Sequence, residues 1–176
     1  MDFKKELERG HSKELAEQIA HRLIAQPNEL KEYVQFLKDE PLLAQRASWP
    51  LSTITDAAPD LLQPFHQELL DAAELNLHPA VQRNVFRYFQ SIQLDNAFIR
   101  EQLLDLAFRQ MESPNVPIAI RVFAMQIIET NSHEYRDLRQ ALADSIALRI
   151  EDEKPGFRSR GRKILKKLEG EGILPS

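Results

Sequence analysis

The chain has 176 residues, with 23 Lys and Arg against 27 Asp and Glu, a formal net charge of −4, and no cysteine. The lack of thiols excludes a disulfide framework, a thiolate metal site and a cysteine nucleophile, and the negative balance gives the chain as a whole no pull on nucleic acid or an anionic membrane. With 43% apolar residues and only 5 glycines beside 10 prolines, the composition argues against a turn-rich β-sandwich or a glycine-dependent phosphate-binding fold and for an all-α one.

Residues Met1 to Gly10 mix Asp2, Glu6 and Glu8 with Lys4, Lys5 and Arg9, so no secretory leader is expected there. Ser12 to Ala25 and Asn28 to Lys38 predict a pair of helices, with Leu15, Ile19 and Leu23 and then Leu30, Val34 and Leu37 turned inward. From there the prolines set a rhythm: Pro41, Pro79, Pro117 and Pro155 recur 38 residues apart, the signature of a repeat. An arginine follows each one, as Arg46, Arg83, Arg121 and Arg158. A polar residue precedes each one, as Asp39, Asn76, Asn115 and Glu153, and its side chain is expected to cap the helix that the proline opens.

Two helices are predicted in each repeat. Val85, Phe86 and Phe89, and then Ile120, Phe123, Ala124, Ile127 and Ile128, mark the first kind at helical spacing. Leu62, Phe65, Leu69 and Ala72 begin the second kind, followed by Ile99, Leu103 and Leu106, and by Leu138, Leu142, Ile146 and Ile150. Pro59-Asp60, Asp95-Asn96 and Asn131-Ser132 with Glu134 supply the polar breaks between the two kinds. Gly156 to Leu168 is a lone last helix, and Gly170 to Ser176 a short tail. The whole reads as one helical-repeat domain over residues 1–176, with N-terminal helices in 1–38, three units in 39–154, and a capping helix and tail in 155–176. Even Val122 to Ile128 is interrupted by Gln126, so no membrane span is expected and a cytoplasmic location is the simplest.

The segment Pro117-Ile-Ala-Ile-Arg121-Val-Phe-Ala124, with Ile127 and Ile128, resembles the HEAT repeat family, and the resemblance covers roughly residues 40 to 168. It implies a right-handed α-α superhelix, a solenoid of about three and a half to four helix pairs, with a concave face that commonly binds protein and with no chemistry of its own. Trp49 departs from the pattern by standing at a small-residue position, and Pro50 is expected to kink its helix because it cannot donate to the carbonyl of Arg46.

The ladder of Arg46, Arg83, Arg121 and Arg158 is expected to be structural, each guanidinium bonding polar groups in a neighbouring loop such as Asp39, Asn76 or Asn115; a phosphate-binding stripe is the alternative. Arg158, Arg160, Arg162, Lys163, Lys166 and Lys167 form the one concentrated basic region. It reads as a solvated cap, alternatively as a contact for nucleic acid or an acidic partner, and Arg160, Arg162, Lys163 and Lys167 are expected to be dispensable for folding. His11, His21, His66, His78 and His133 have no paired metal spacing and are expected to be exposed.

No G-x-S-x-G, P-loop, G-x-G-x-x-G or H-E-x-x-H occurs, and the Met-Pro-x-Lys core of the helical fumarase and aspartase lyases is missing, so neither a catalytic residue nor a cofactor is expected. Helical-repeat DNA glycosylases are the enzymatic alternative on this architecture, with Asp56 near Trp49 the nearest match to their site. The reading is therefore a non-catalytic interaction or scaffold module. Its protein or peptide partner is expected on the second helices, through Gln67, Asp71, Glu74, Glu101, Asp105, Arg109 and Asp144, a mixed to acidic face that favours a basic segment.

Overall fold

The computed structural model describes residues 1–174, and among them all regular structure is helical. Its contacts gather into two compact units, Met1–Tyr88 and the chain from Phe89 onward.

In the first unit, α1 (Phe3–Arg9) and α2 (Lys13–Ala25) lead to two 3-10 segments, Pro27–Glu29 and Val34–Lys38, around the short α3 (Leu30–Tyr33). Then come α4 (Pro41–Ala57), a 3-10 segment at Pro59–Phe65, α5 (His66–Leu75) and α6 (Pro79–Phe89). Helix α1 lies in a stretch whose mixed charges hide its period, but Phe3 and Leu7, four apart, give it a buried face. Ser12 caps α2 by accepting from the Leu15 amide at 3.2 Å. Helix α2 packs on α4, and the buried Tyr33 hydroxyl donates to the carbonyl of Ala47 at 3.0 Å. Burial holds that phenol well above its ordinary pKa.

The second unit holds α7 (Ala97–Glu112), α8 (Ile118–Asn131), α9 (Arg136–Arg149) and α10 (Pro155–Gly170). Helix α8 packs against α7, α9 and α10, burying Ile120, Ala124, Ile127 and Ile128 on the face read from the sequence. Helices α9 and α10 approach closely at Gly161, where an added Cβ would lie 2.9 Å from Ile146 Cγ2 and 3.3 Å from Ile150 Cδ1. Gly161→Leu should accordingly cost about 1–3 kcal/mol by overpacking. Gly156→Ala is the control, because its Cβ would meet nothing nearer than 4.0 Å. Urea denaturation followed by circular dichroism separates the two.

All four repeat prolines stand at helix starts: Pro41, Pro79 and Pro155 are first residues, and Pro117 flanks Ile118. An N1 proline sacrifices no hydrogen bond, since its missing N–H would have had no helical partner. The capping residues expected before them are a correction. Asn76 instead ends α5 in the left-handed conformation, φ 49°, which Asn tolerates better than most residues. The next helix is capped by the His78 ring, whose Nδ1 accepts from the Ala80 amide at 3.1 Å. Asp39 accepts from the Glu40 amide at 2.7 Å; α8 and α10 have no side-chain N-cap bond, and Glu153 serves an arginine instead.

The second-type helices shift for physical reasons as well. Helix α5 begins only at His66, because Pro64 has no N–H to continue an α-helical ladder through Pro59–Phe65. Asn131 does not open α9. It closes α8 and turns inward, accepting from the Leu94 amide at 2.9 Å and donating to the Ile92 carbonyl at 3.0 Å, so it pins the loop before α7. At the next break Asn96 caps α7 as expected, accepting from the Ile99 amide at 3.1 Å. Helix α4 runs on through Pro50 to Ala57.

Candidate functional site

Helix α4 carries Gln45, Trp49, Ser52 and Asp56 at spacings of three and four, which puts them on one face. That face meets α6. The Asn84 amide donates to Ser48 Oγ at 3.1 Å, both side chains buried. One turn on, Arg87 donates to the Ser52 hydroxyl and grips both oxygens of Asp56, at 2.9 and 2.8 Å. At the other end the His11 ring lies against Trp49, centroids 4.6 Å apart. Between these two closures is a recess of about 330 Å³ lined by Trp49, Gln45, Ser52, Asn84 and Arg83, with Ala80 from the first turn of α6. Trp49 is half-buried and Arg83 exposed. Asp56 is committed to Arg87 and so is neutralised within its own pair.

Of the arginine ladder, Arg46 donates to the carbonyls of Leu7 and Glu8 at the end of α1, 2.7 and 3.1 Å. Arg121, 4% exposed, donates to the Met111 carbonyl at 2.8 Å and makes a two-point pair with Glu153. Arg83 lies exposed, and the buried polar contacts of its turn are made by Gln82, which donates to the Ala73 carbonyl at 3.1 Å, and by Asn84. Arg158 is half-buried. The acceptors for Arg46 and Arg121 are thus helix-end carbonyls and Glu153 rather than Asp39, Asn76 or Asn115, since the last carbonyls of a helix have no partner within it.

A further rung, Arg139, was not legible in the 38-residue period. Arg121 reaches a carbonyl ten residues back and a glutamate 32 ahead, and buried Arg139 does the same with the Glu129 carbonyl, at 3.3 Å, and the Glu171 carboxylate. The signal is the shared spacing of 18 residues from Arg121 to Arg139 and from Glu153 to Glu171.

The basic end divides. Arg162, Lys163 and Lys166 are exposed. Arg160, by contrast, donates to Gln126 Oε1 at 2.8 Å, and Lys167 pairs with buried Glu129. These two therefore make contacts between α8 and α10 rather than standing as a purely solvated cap. Three carboxylates of the second helices accept a hydrogen bond within their own helix: Asp71 from Gln67 at 2.8 Å, Asp105 from Arg109 at 3.0 Å, and Asp144 from Gln140 at 2.9 Å, all at i, i+4. Such pairs describe a solvated face.

The histidines are also not uniformly exposed. His78 is a cap, and half-buried His66 contacts the Tyr88 hydroxyl through Nε2 at 2.8 Å. Burial lowers the His66 pKa and raises that of Tyr88, which also feels Asp60. A histidine whose folded pKa lies below its unfolded value binds its proton more readily when unfolded. Stability should therefore fall as pH drops below about 6.5. Urea midpoints at about pH 7.5 and about pH 5.5 check this: the loss on acidification should be smaller in His66→Gln.

These stacked helix pairs define a helical-repeat protein; among the described residues no three His, Asp or Glu side chains are grouped to hold a metal ion, and no helix is long and apolar enough to cross a membrane. A family model for the HEAT repeat domain matches residues 3–168, and the chain belongs to that family. The match takes in α1 and α2, beyond the stretch from residue 40 over which the repeat pattern shows in the sequence. No curated protein and no solved structure matches the chain.

Proposed function

We propose that this HEAT-repeat protein is an interaction module whose protein partner engages the first unit on the α4–α6 face, not on the second helices. The observation that supports this is the recess around Trp49. It combines an aromatic wall, neutral hydrogen-bonding side chains and an exposed arginine, the mixture that makes anchor points in protein interfaces. The second helices offer instead carboxylates already hydrogen-bonded along their own axes, Asp71 and Asp144 by glutamines and Asp105 by Arg109.

Affinity capture from the source cell tests the assignment, with Arg83→Glu compared against the second-helix variant Asp71→Lys/Glu74→Lys. Both sets of positions are exposed, so both proteins should melt close to wild type. Arg83→Glu should lose the captured partner, at a cost of about 2 kcal/mol or more in affinity, while the double variant keeps it. The reverse pattern would move the site to the second helices.

A further inference from the structure

We infer that the recess between α4 and α6 receives an acidic side chain, so that the partner segment docking on the first unit is an acidic peptide. The inference rests on the interaction face proposed above and adds the chemistry of what it holds.

The chain has 27 Asp and Glu, yet none lines this recess. The nearest carboxylate along α4, Asp56, lies a turn beyond Ser52 and is held at two points by Arg87. What remains is neutral or cationic. Arg83 is the exposed cation of the recess; Gln45 and Asn84 contribute side-chain amides, and Trp49 has an indole N–H that can only donate.

Helix α6 reinforces this. Its first turn enters the recess at Ala80, and a helix N-terminus presents partial positive charge. The His78 ring already accepts from the Ala80 amide, so the contribution of the helix end here is its field. A carboxylate satisfies such a set, because it accepts at up to four positions and an arginine fork matches its geometry. A lysine ammonium, which only donates, would leave the indole donor unmatched and face Arg83 with like charge. The cavity, about 330 Å³, has the size of a small ligand pocket, enough for one side chain with its adjoining backbone. The basic partner expected for the acidic second helices is thus the opposite of what this recess selects.

Trp49 is the chain's one tryptophan, so its emission reports on the recess without a label. Full-length protein is titrated at low salt with three acetylated and amidated synthetic peptides of equal length, alternating Gly-Glu, Gly-Gln and Gly-Lys, and separately with inorganic phosphate and acetate. The Gly-Glu peptide should change the emission saturably. Arg83→Glu should weaken that binding by about tenfold or more while keeping its circular-dichroism spectrum and melting point, and Arg83→Lys should retain part of it. Added salt should weaken it in wild type.

A stronger response to Gly-Lys, an equal response to Gly-Gln, or no response to any peptide overturns the inference. So does phosphate or acetate alone binding as tightly as the Gly-Glu peptide, since the recess would then be a site for a free anion. The reading of the face itself stands or falls separately, on whether capture of the cellular partner depends on Arg83.

Discussion

Arg121→Ala should destabilise the protein by about 3–5 kcal/mol, the cost typical of removing one member of a buried ion pair. The guanidinium is buried in the second unit and satisfied on three sides. Its Nε donates to the Met111 carbonyl at 2.8 Å, near the end of α7. Its two terminal nitrogens engage the Glu153 carboxylate ahead of α10, and its carbon stands 4.9 Å from the centroid of the Phe157 ring. Truncation would strand a carboxylate whose side chain is only 14% exposed and leave the Met111 carbonyl without its guanidinium donor. Arg121→Ala/Glu153→Gln should recover part of the loss, because the stranded charge goes with the second substitution, and the double-mutant cycle in urea measures the coupling. A loss below about 1 kcal/mol in the single variant, the scale of a solvated pair, would show that the pairing contributes little to stability.

The division between what the sequence displays and what only the fold reveals follows the range of the interactions. Pro41, Pro79, Pro117 and Pro155 announce helix starts because the effect of proline is local: it fixes φ and removes a donor that the first turn does not need. The apolar faces of α7, α8 and α9 are equally visible, since side chains three and four apart must share a side of a helix. Asn131 and Glu153 carry the look of caps, but their partners lie far off in the chain. Asn131 has the composition of a cap, and only the placement of the Leu94 amide, 37 residues away, turns it inward. Glu153 looks like a cap for α10 until Arg121, 32 residues earlier, takes it.

The recess is built in the same way. Arg87 and Asp56 are 31 residues apart, and Asn84 and Ser48 are 36 apart; no local pattern pairs them. The one trace in the sequence is Trp49 at a position where the repeat has a small residue. A large ring there cannot be accommodated as an alanine would be, and α4 instead presents it, half-buried, to the recess and to His11.

Lys167→Glu should be the most damaging single change at the basic end, costing about 2–4 kcal/mol, although Lys167 is itself more than half exposed. The reason lies in its partner. Glu129 has a side chain only 7% exposed and is held by three groups: Lys167, Gln126 Nε2 at 2.7 Å, and Arg139 at 3.8 Å. Reversal removes one of its two cations and sets a second carboxylate against it, with Glu171, 4.0 Å from the lysine nitrogen, adding to the repulsion. Glu to the same extent at Arg162, Lys163 and Lys166 meets only solvent, and stability there should stay within about 0.5 kcal/mol of wild type. Arg160→Glu should fall between, with the loss of its 2.8 Å bond to Gln126. Two further readouts distinguish buried repulsion from loss of surface charge. The Lys167→Glu deficit should persist in part at high salt, because the Glu129 end of the pair is buried and screened less than a surface pair. Glu129→Gln in the Lys167→Glu background should restore part of the stability at neutral pH, while a deficit abolished by salt and indifferent to Glu129→Gln would return Lys167 to the solvated surface.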